Sequence, residues 1–108
     1  PYTLLDSVLE VATGRSLNLY INQQLRLSTG ITGAFIKSGY NNVFYSTPRS
    51  MARFGLLMLN KGKWNQTQIM NDSNYFNAMI NTSNNDNLSY GYLWWLNGKN
   101  SYKVPGVN

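Results

Sequence analysis

The chain has 108 residues, 43% hydrophobic and 14% aromatic, with nine bases, four acids and a net charge of +5. It contains no cysteine and no histidine, which excludes disulfides, thiolate metal sites and a histidine base or ligand. The bases are scattered rather than gathered on one face, which argues against a nucleic-acid partner, and no apolar run approaches the roughly 20 residues of a membrane-spanning helix.

The first segment, YTLLDSVLEVATGRS, puts Leu4, Leu5, Val8, Leu9 and Ala12 at the spacing of one helical face. Gly14 is placed to end that helix in the left-handed conformation. Ser16 can then cap a second helix reaching about Leu25, with Leu17, Tyr20, Ile21 and Leu25 inward. Past this point Gly30, Gly33 and Gly39 interrupt the pattern, and β-branched and aromatic residues replace leucine. Short extended segments are expected near residues 34–36 and 42–45, joined through the turn formers Ser38-Gly39 and Asn41-Asn42.

Residues 45–64 read YSTPRSMARFGLLMLNKGKW. Ser46 or Thr47 is the helix cap, and Pro48 takes the first helical position, where its missing N–H costs nothing. Met51, Phe54, Gly55, Met58 and Leu59 form an apolar stripe, widened by Leu56 and Leu57, which predicts burial on more than one side. Gly55 costs about 0.5–1 kcal/mol relative to alanine, so a close neighbour is expected there. Lys61 and Gly62 end the helix.

Asp72 or Ser73 begins a short helix with Tyr75, Phe76, Met79 and Ile80 inward, followed by a polar loop over 81–87. Residues 90–96 read as an aromatic strand, Asn97-Gly98 as a hairpin turn and 101–104 as its return. The elements add up to an α+β chain, mainly helical with a C-terminal β-hairpin. No repeat or linker divides residues 1–108. Asn65, Asn71, Asn81 and Asn87 each open an Asn-x-Ser/Thr triplet, as chance provides in a chain so rich in these residues.

A nucleophile with its base is not found. A Ser/His/Asp set is impossible without histidine. Ser-x-x-Lys, which sets an amine one helical turn from a hydroxyl, does not occur. Ser46-Thr47-Pro48-Arg49 has that spacing but ends in an arginine, which stays charged. Asp6 and Glu10, at i and i+4, read as solvated surface. Tyr40-Asn41-Asn42 matches a Tyr-x-Asn pattern, but its residues have turn chemistry and the turn is the stronger reading. On a strand, Tyr90, Tyr92 and Trp94 would share one face and Trp95 the other; core packing outweighs a stacking platform for this set.

In order, YTLLDSVLEVATGRSLNLYI, YSTPRSMARFGLLMLNKGKWN and YGYLWWLNG…VPG resemble the serine β-lactamase and penicillin-binding-protein superfamily. The nearest branch is that of class C β-lactamases, esterases and aminohexanoate-oligomer hydrolases. The resemblance covers nearly all of the chain and corresponds to a middle piece of the family's length. It implies a partial β-lactamase-like fold, with residues 1–89 from helical and connecting parts and 90–104 a hairpin of the sheet region.

For function, the resemblance implies a serine hydrolase acting on a β-lactam, ester or small amide through an acyl-enzyme. The family's Ser-x-x-Lys, Tyr-x-Asn and Lys- or His-x-Gly motifs would all lie outside residues 1–108. No catalytic residue is therefore expected in this chain, and alone it is expected to be inactive. Tyr45, Tyr92, Trp94 and Trp95 are the candidates to border the substrate cleft. The implied partner is a small-molecule substrate, with no metal or cofactor, in a bacterial periplasmic or secreted protein. RLSTG stands where the family carries a Pro-Leu-Gly turn, so residues 26–33 are expected to take their own path. The competing readings are a basic, aromatic-bearing binding module for carbohydrate or single-stranded nucleic acid, and a non-catalytic relative of the family. By itself the chain is expected to expose apolar helix faces, and so to be marginally stable or to associate.

Overall fold

Start and stop signals place the elements. The computed structural model describes residues 2–96, which form short helices and two small antiparallel sheets. The chain divides into two compact units, Pro1–Ile69 and Met70–Asn108.

In the first unit, helix α1 (Tyr2–Thr13) ends where Gly14 turns left-handed at φ 67° and donates its N–H to the Glu10 carbonyl at 2.9 Å. Its face is not the expected one. Leu4 is 72% and Val8 63% exposed, and Leu5 is exposed as well. The polar side chains make the attachments instead. Thr3 Oγ1 donates to Asn41 Oδ1 at 3.2 Å, and Asp6 Oδ2 accepts from Asn42 Nδ2 at 3.0 Å. Glu10 Oε1 accepts the Leu17 N–H at 3.1 Å. The reading of Asp6 and Glu10 as idle surface charges is thus corrected. Glu10 satisfies one of the orphan donors at the start of the next helix, where a negative charge is also favoured.

Ser16 caps that next helix as expected, its Oγ accepting the Leu19 N–H at 3.3 Å. The helix does not stop near Leu25. α2 (Leu17–Ile21) runs into a π-helical segment (Asn22–Arg26) and then α3 (Leu27–Thr29). Nothing in RLST breaks a helix, and the stop comes only at Gly30, left-handed at φ 73°. Thr29 seals this end: its hydroxyl donates to the Leu25 carbonyl at 2.6 Å and accepts the Ile31 N–H at 3.1 Å.

Strands β1 (Gly33–Ser38) and β2 (Asn41–Ser46) form the expected hairpin, in a register running from Gly33↔Ser46 to Ser38↔Asn41. Its two-residue loop is Gly39-Tyr40, with Gly39 supplying φ 63°. Phe35 and Phe44 pair across the strands with ring centroids 5.0 Å apart. Asn18, on α2, grips β1 from the other side: its Oδ1 accepts the Phe35 N–H at 2.7 Å and its Nδ2 donates to the Phe35 carbonyl at 3.2 Å. Both backbone groups of Phe35 therefore point away from β2. Phe35 and Phe44 form a non-hydrogen-bonded pair, the kind in which side chains sit closest. At Gly33 a Cβ would stand 2.5 Å from the Tyr45 carbonyl oxygen, so only glycine fits this crossing.

Helix α4 (Pro48–Leu59) starts at Thr47, whose Oγ1 accepts the Ser50 N–H at 3.1 Å, with Pro48 in the first turn. The buried stripe differs from the predicted one by about a residue. It runs through Ser50, Arg53, Phe54, Leu57 and Met58, and Leu57 is 0% exposed. Met51, Leu56 and Leu59 are exposed, and a Cβ on Gly55 would meet nothing within 4 Å, so the helix is not buried on several sides and Gly55 has no close neighbour. The cause is the polar demand of residues 29–32. Ser50 Oγ takes the Thr32 N–H at 3.0 Å and lies 3.1 Å from Thr32 Oγ1. Arg53 Nη1 donates to the Thr29 carbonyl at 2.7 Å, with its guanidinium 5.8 Å from the Trp64 ring centroid. These bonds set the helix's rotation, and the apolar residues take what remains.

α4 ends as Lys61 and Gly62 turn left-handed at φ 54° and 80°, with the Gly62 N–H on the Leu57 carbonyl at 2.8 Å. A small hairpin unread from the sequence follows, β3 (Lys63–Trp64) and β4 (Thr67–Gln68), looped through Asn65-Gln66.

In the second unit, Asp72 caps α5 (Ser73–Met79) by accepting the Tyr75 N–H at 2.9 Å. Phe76 and Met79 are buried, whereas Tyr75, expected inward, is exposed. The polar loop after α5 is knitted by its own amides: Asn84 Oδ1 accepts the N–H groups of Asp86 and Asn87, both at 2.9 Å, and Asn87 Oδ1 that of Ser89 at 2.9 Å. Residues 90–96 are not one strand. The Gly91 N–H reaches the Trp94 carbonyl and the Leu96 N–H the Ser89 carbonyl, both at 2.8 Å, so the segment reverses on itself through Tyr92 and Leu93. Gly91 makes this possible. It is buried against α5, where a Cβ would overlap the carbonyl oxygens of Met79 and Asn81. The expected Asn97-Gly98 turn and its 101–104 return lie outside the described residues. Among the described residues no helix is long and apolar enough to cross a membrane.

Candidate functional site

Four aromatic residues are the candidates carried from the sequence, Tyr45 in the first unit and Tyr92, Trp94 and Trp95 in the second. In the first unit, Tyr45 stands on the outer face of β1–β2, across from Ala34, and is 53% exposed. Phe44, its neighbour, turns the opposite way toward Phe35, as the two-residue period of a strand requires.

In the second unit, the reversal at Gly91 decides the arrangement. Tyr92 is carried over the C-terminal end of α5, where its N–H donates to the Met79 carbonyl at 3.0 Å. Its ring comes to 5.7 Å from Tyr75, tilted by 51°. Trp95 bridges back to Tyr90, the rings 4.9 Å apart and edge to face. Tyr92 remains 46% and Trp95 65% exposed, while Trp94 is half-buried. The expected division, with Tyr90, Tyr92 and Trp94 on one face and Trp95 on the other, fails because no continuous strand exists to impose it. Tyr75, absent from the candidate set, belongs to the surface. Its helical spacing with Phe76 and Met79 marks it as core, and only the reversal brings Tyr92 to it.

These pairs can stack on a planar or ring-shaped ligand, and their phenols can hydrogen bond it. The hydroxyls of Ser46, Thr47 and Ser50 are engaged in structure: Ser46 Oγ donates to the Thr32 carbonyl at 2.5 Å, Thr47 caps α4 and Ser50 meets Thr32. Among the described residues no serine hydroxyl is hydrogen bonded to a lysine or tyrosine side chain. Tyr40, of the Tyr-x-Asn match, sits almost fully exposed at the hairpin tip, while Asn41 and Asn42 tether α1. Among the described residues no three of His, Cys, Asp and Glu gather in a metal-binding group.

Two hollows complete the first unit. One, of about 230 Å³, is walled only by apolar side chains, among them Ile21, Ile31, Phe35 and Phe44. The other, shallow and open, of about 480 Å³, is edged by Lys61, Lys63, Asn60 and Asn65. Compared with family models, curated proteins and solved structures, the chain matches none.

Proposed function

We propose that this chain is scaffold from a serine hydrolase of the β-lactamase and penicillin-binding-protein type, with the catalytic groups supplied by other parts of the protein. One observation carries the reading: the three segments YTLLDSVLEVATGRSLNLYI, YSTPRSMARFGLLMLNKGKWN and YGYLWWLNG resemble, in order, segments of that family. The Thr47 cap and Pro48 start of α4 support it, since they give the middle segment a local physical role.

The chemistry is acyl transfer. A serine oxygen attacks the carbonyl of a β-lactam, ester or small amide while a lysine–tyrosine pair takes its proton. Backbone N–H groups hold the developing oxyanion; its collapse breaks the C–N or C–O bond, the amine or alcohol takes the proton back from the pair, and water then hydrolyses the acyl-enzyme to regenerate the serine. Tyr45 in the first unit and, separately, Tyr92, Trp94 and Trp95 in the second are proposed as residues that border the substrate, and Tyr75 joins the second group through its ring contact with Tyr92.

The test uses the whole protein that carries this chain. Ser-x-x-Lys and Tyr-x-Asn are expected before residue 1, and Lys- or His-x-Gly after residue 108. Hydrolysis of a chromogenic ester or β-lactam should collapse by several orders of magnitude, about 10³-fold or more, when the motif serine is changed to alanine. Intact mass should show a covalent acyl adduct on that serine. Motifs missing from the frame, or a serine variant as active as the parent, overturns the proposal; intact motifs without turnover mark a non-catalytic relative.

A second reading rests on the exposure of Trp95 and Tyr92. It makes the second unit a binding surface for carbohydrate; for single-stranded nucleic acid that unit has the aromatics but no net charge, since Lys99 and Lys103 are balanced by Asp72 and Asp86 and the chain's +5 lies on residues 1–69. Titration with oligosaccharides and with oligonucleotides at low and high salt tests it. Salt-dependent oligonucleotide affinity, or sugar binding lost in Trp95→Ala, is the supporting result.

A further inference from the structure

We draw no further inference here: the strongest candidate, the apolar hollow of about 230 Å³ formed in the first unit by Ile21, Leu25, Ile31, Phe35, Phe44 and Phe54, carries nothing because nothing in the structure shows what covers it.

Discussion

Helices α1 and α4 are both 12 residues long and both amphipathic, yet they meet the rest of their unit with opposite chemistry. α4 turns Leu57 into the interior, beside Ser50 and Arg53, which serve the backbone of residues 29–32. α1 turns Thr3, Asp6 and Glu10 toward its neighbours and leaves Leu4, Leu5 and Val8 in water. A net hydrogen bond contributes about 1 kcal/mol, while apolar burial returns about 25 cal/mol for each Å² removed from water. α1 is thus attached by a few modest polar bonds, with its main source of stabilisation unused. Amphipathicity says that a helix has two faces; the partners within reach decide which one docks.

A short series of variants can break or sharpen this contrast. Leu57→Ala is expected to have the largest effect, a loss of about 2–5 kcal/mol, since it opens a cavity at a fully buried site. Urea unfolding measures it, and a loss below about 1 kcal/mol would mean that α4 does not anchor the core. Thr47→Ala removes the cap of α4 and should cost about 1 kcal/mol, with Thr47→Ser recovering most of it. Asn42→Ala should cost a little less, about 0.5–1 kcal/mol, and should speed amide exchange selectively in α1 by removing its bond to Asp6. Unchanged exchange in α1 would show that the helix is held by something other than its polar face.

The smallest effect on stability is expected from Leu4→Glu combined with Val8→Glu, within about 0.5 kcal/mol, because both side chains are already exposed. The same pair should weaken any concentration-dependent association in sedimentation velocity, because it charges part of the exposed apolar surface of α1, which also includes Leu5 and Val11. A loss of 2 kcal/mol or more in the dilute monomer would instead place that surface in the interior and reverse the comparison.

The contrast also marks what was legible in the sequence. Helix starts and stops depend on groups within four residues of one another, so Gly14, Ser16 and Pro48 could be read directly, and Thr47 and Asp72 each as one of two adjacent candidates. Orientation could not. The bonds from Asn42 to Asp6 and from Arg53 to the Thr29 carbonyl join residues far apart in the chain, and no periodicity announces them. The hairpin β3–β4 escaped because its strands have two residues each, too short to show alternation. In the candidate site, aromatic character singled out Tyr45, Tyr92, Trp94 and Trp95, but their grouping rests on Gly91. A glycine inside a strand-like run was the available signal: it marks a place where another part of the backbone comes close.

Asn18 has a consequence beyond holding α2 to the hairpin. A two-stranded ribbon has unpaired edges, and an open edge invites a strand from another molecule to add to it. By taking both the N–H and the carbonyl of Phe35, Asn18 occupies the middle of the β1 edge with one side-chain amide. An incoming strand would have to displace it before making continuous pairing. One residue on a helix thereby blocks the middle of that edge, and Asn18→Ala should lower the concentration at which thioflavin-positive aggregates appear.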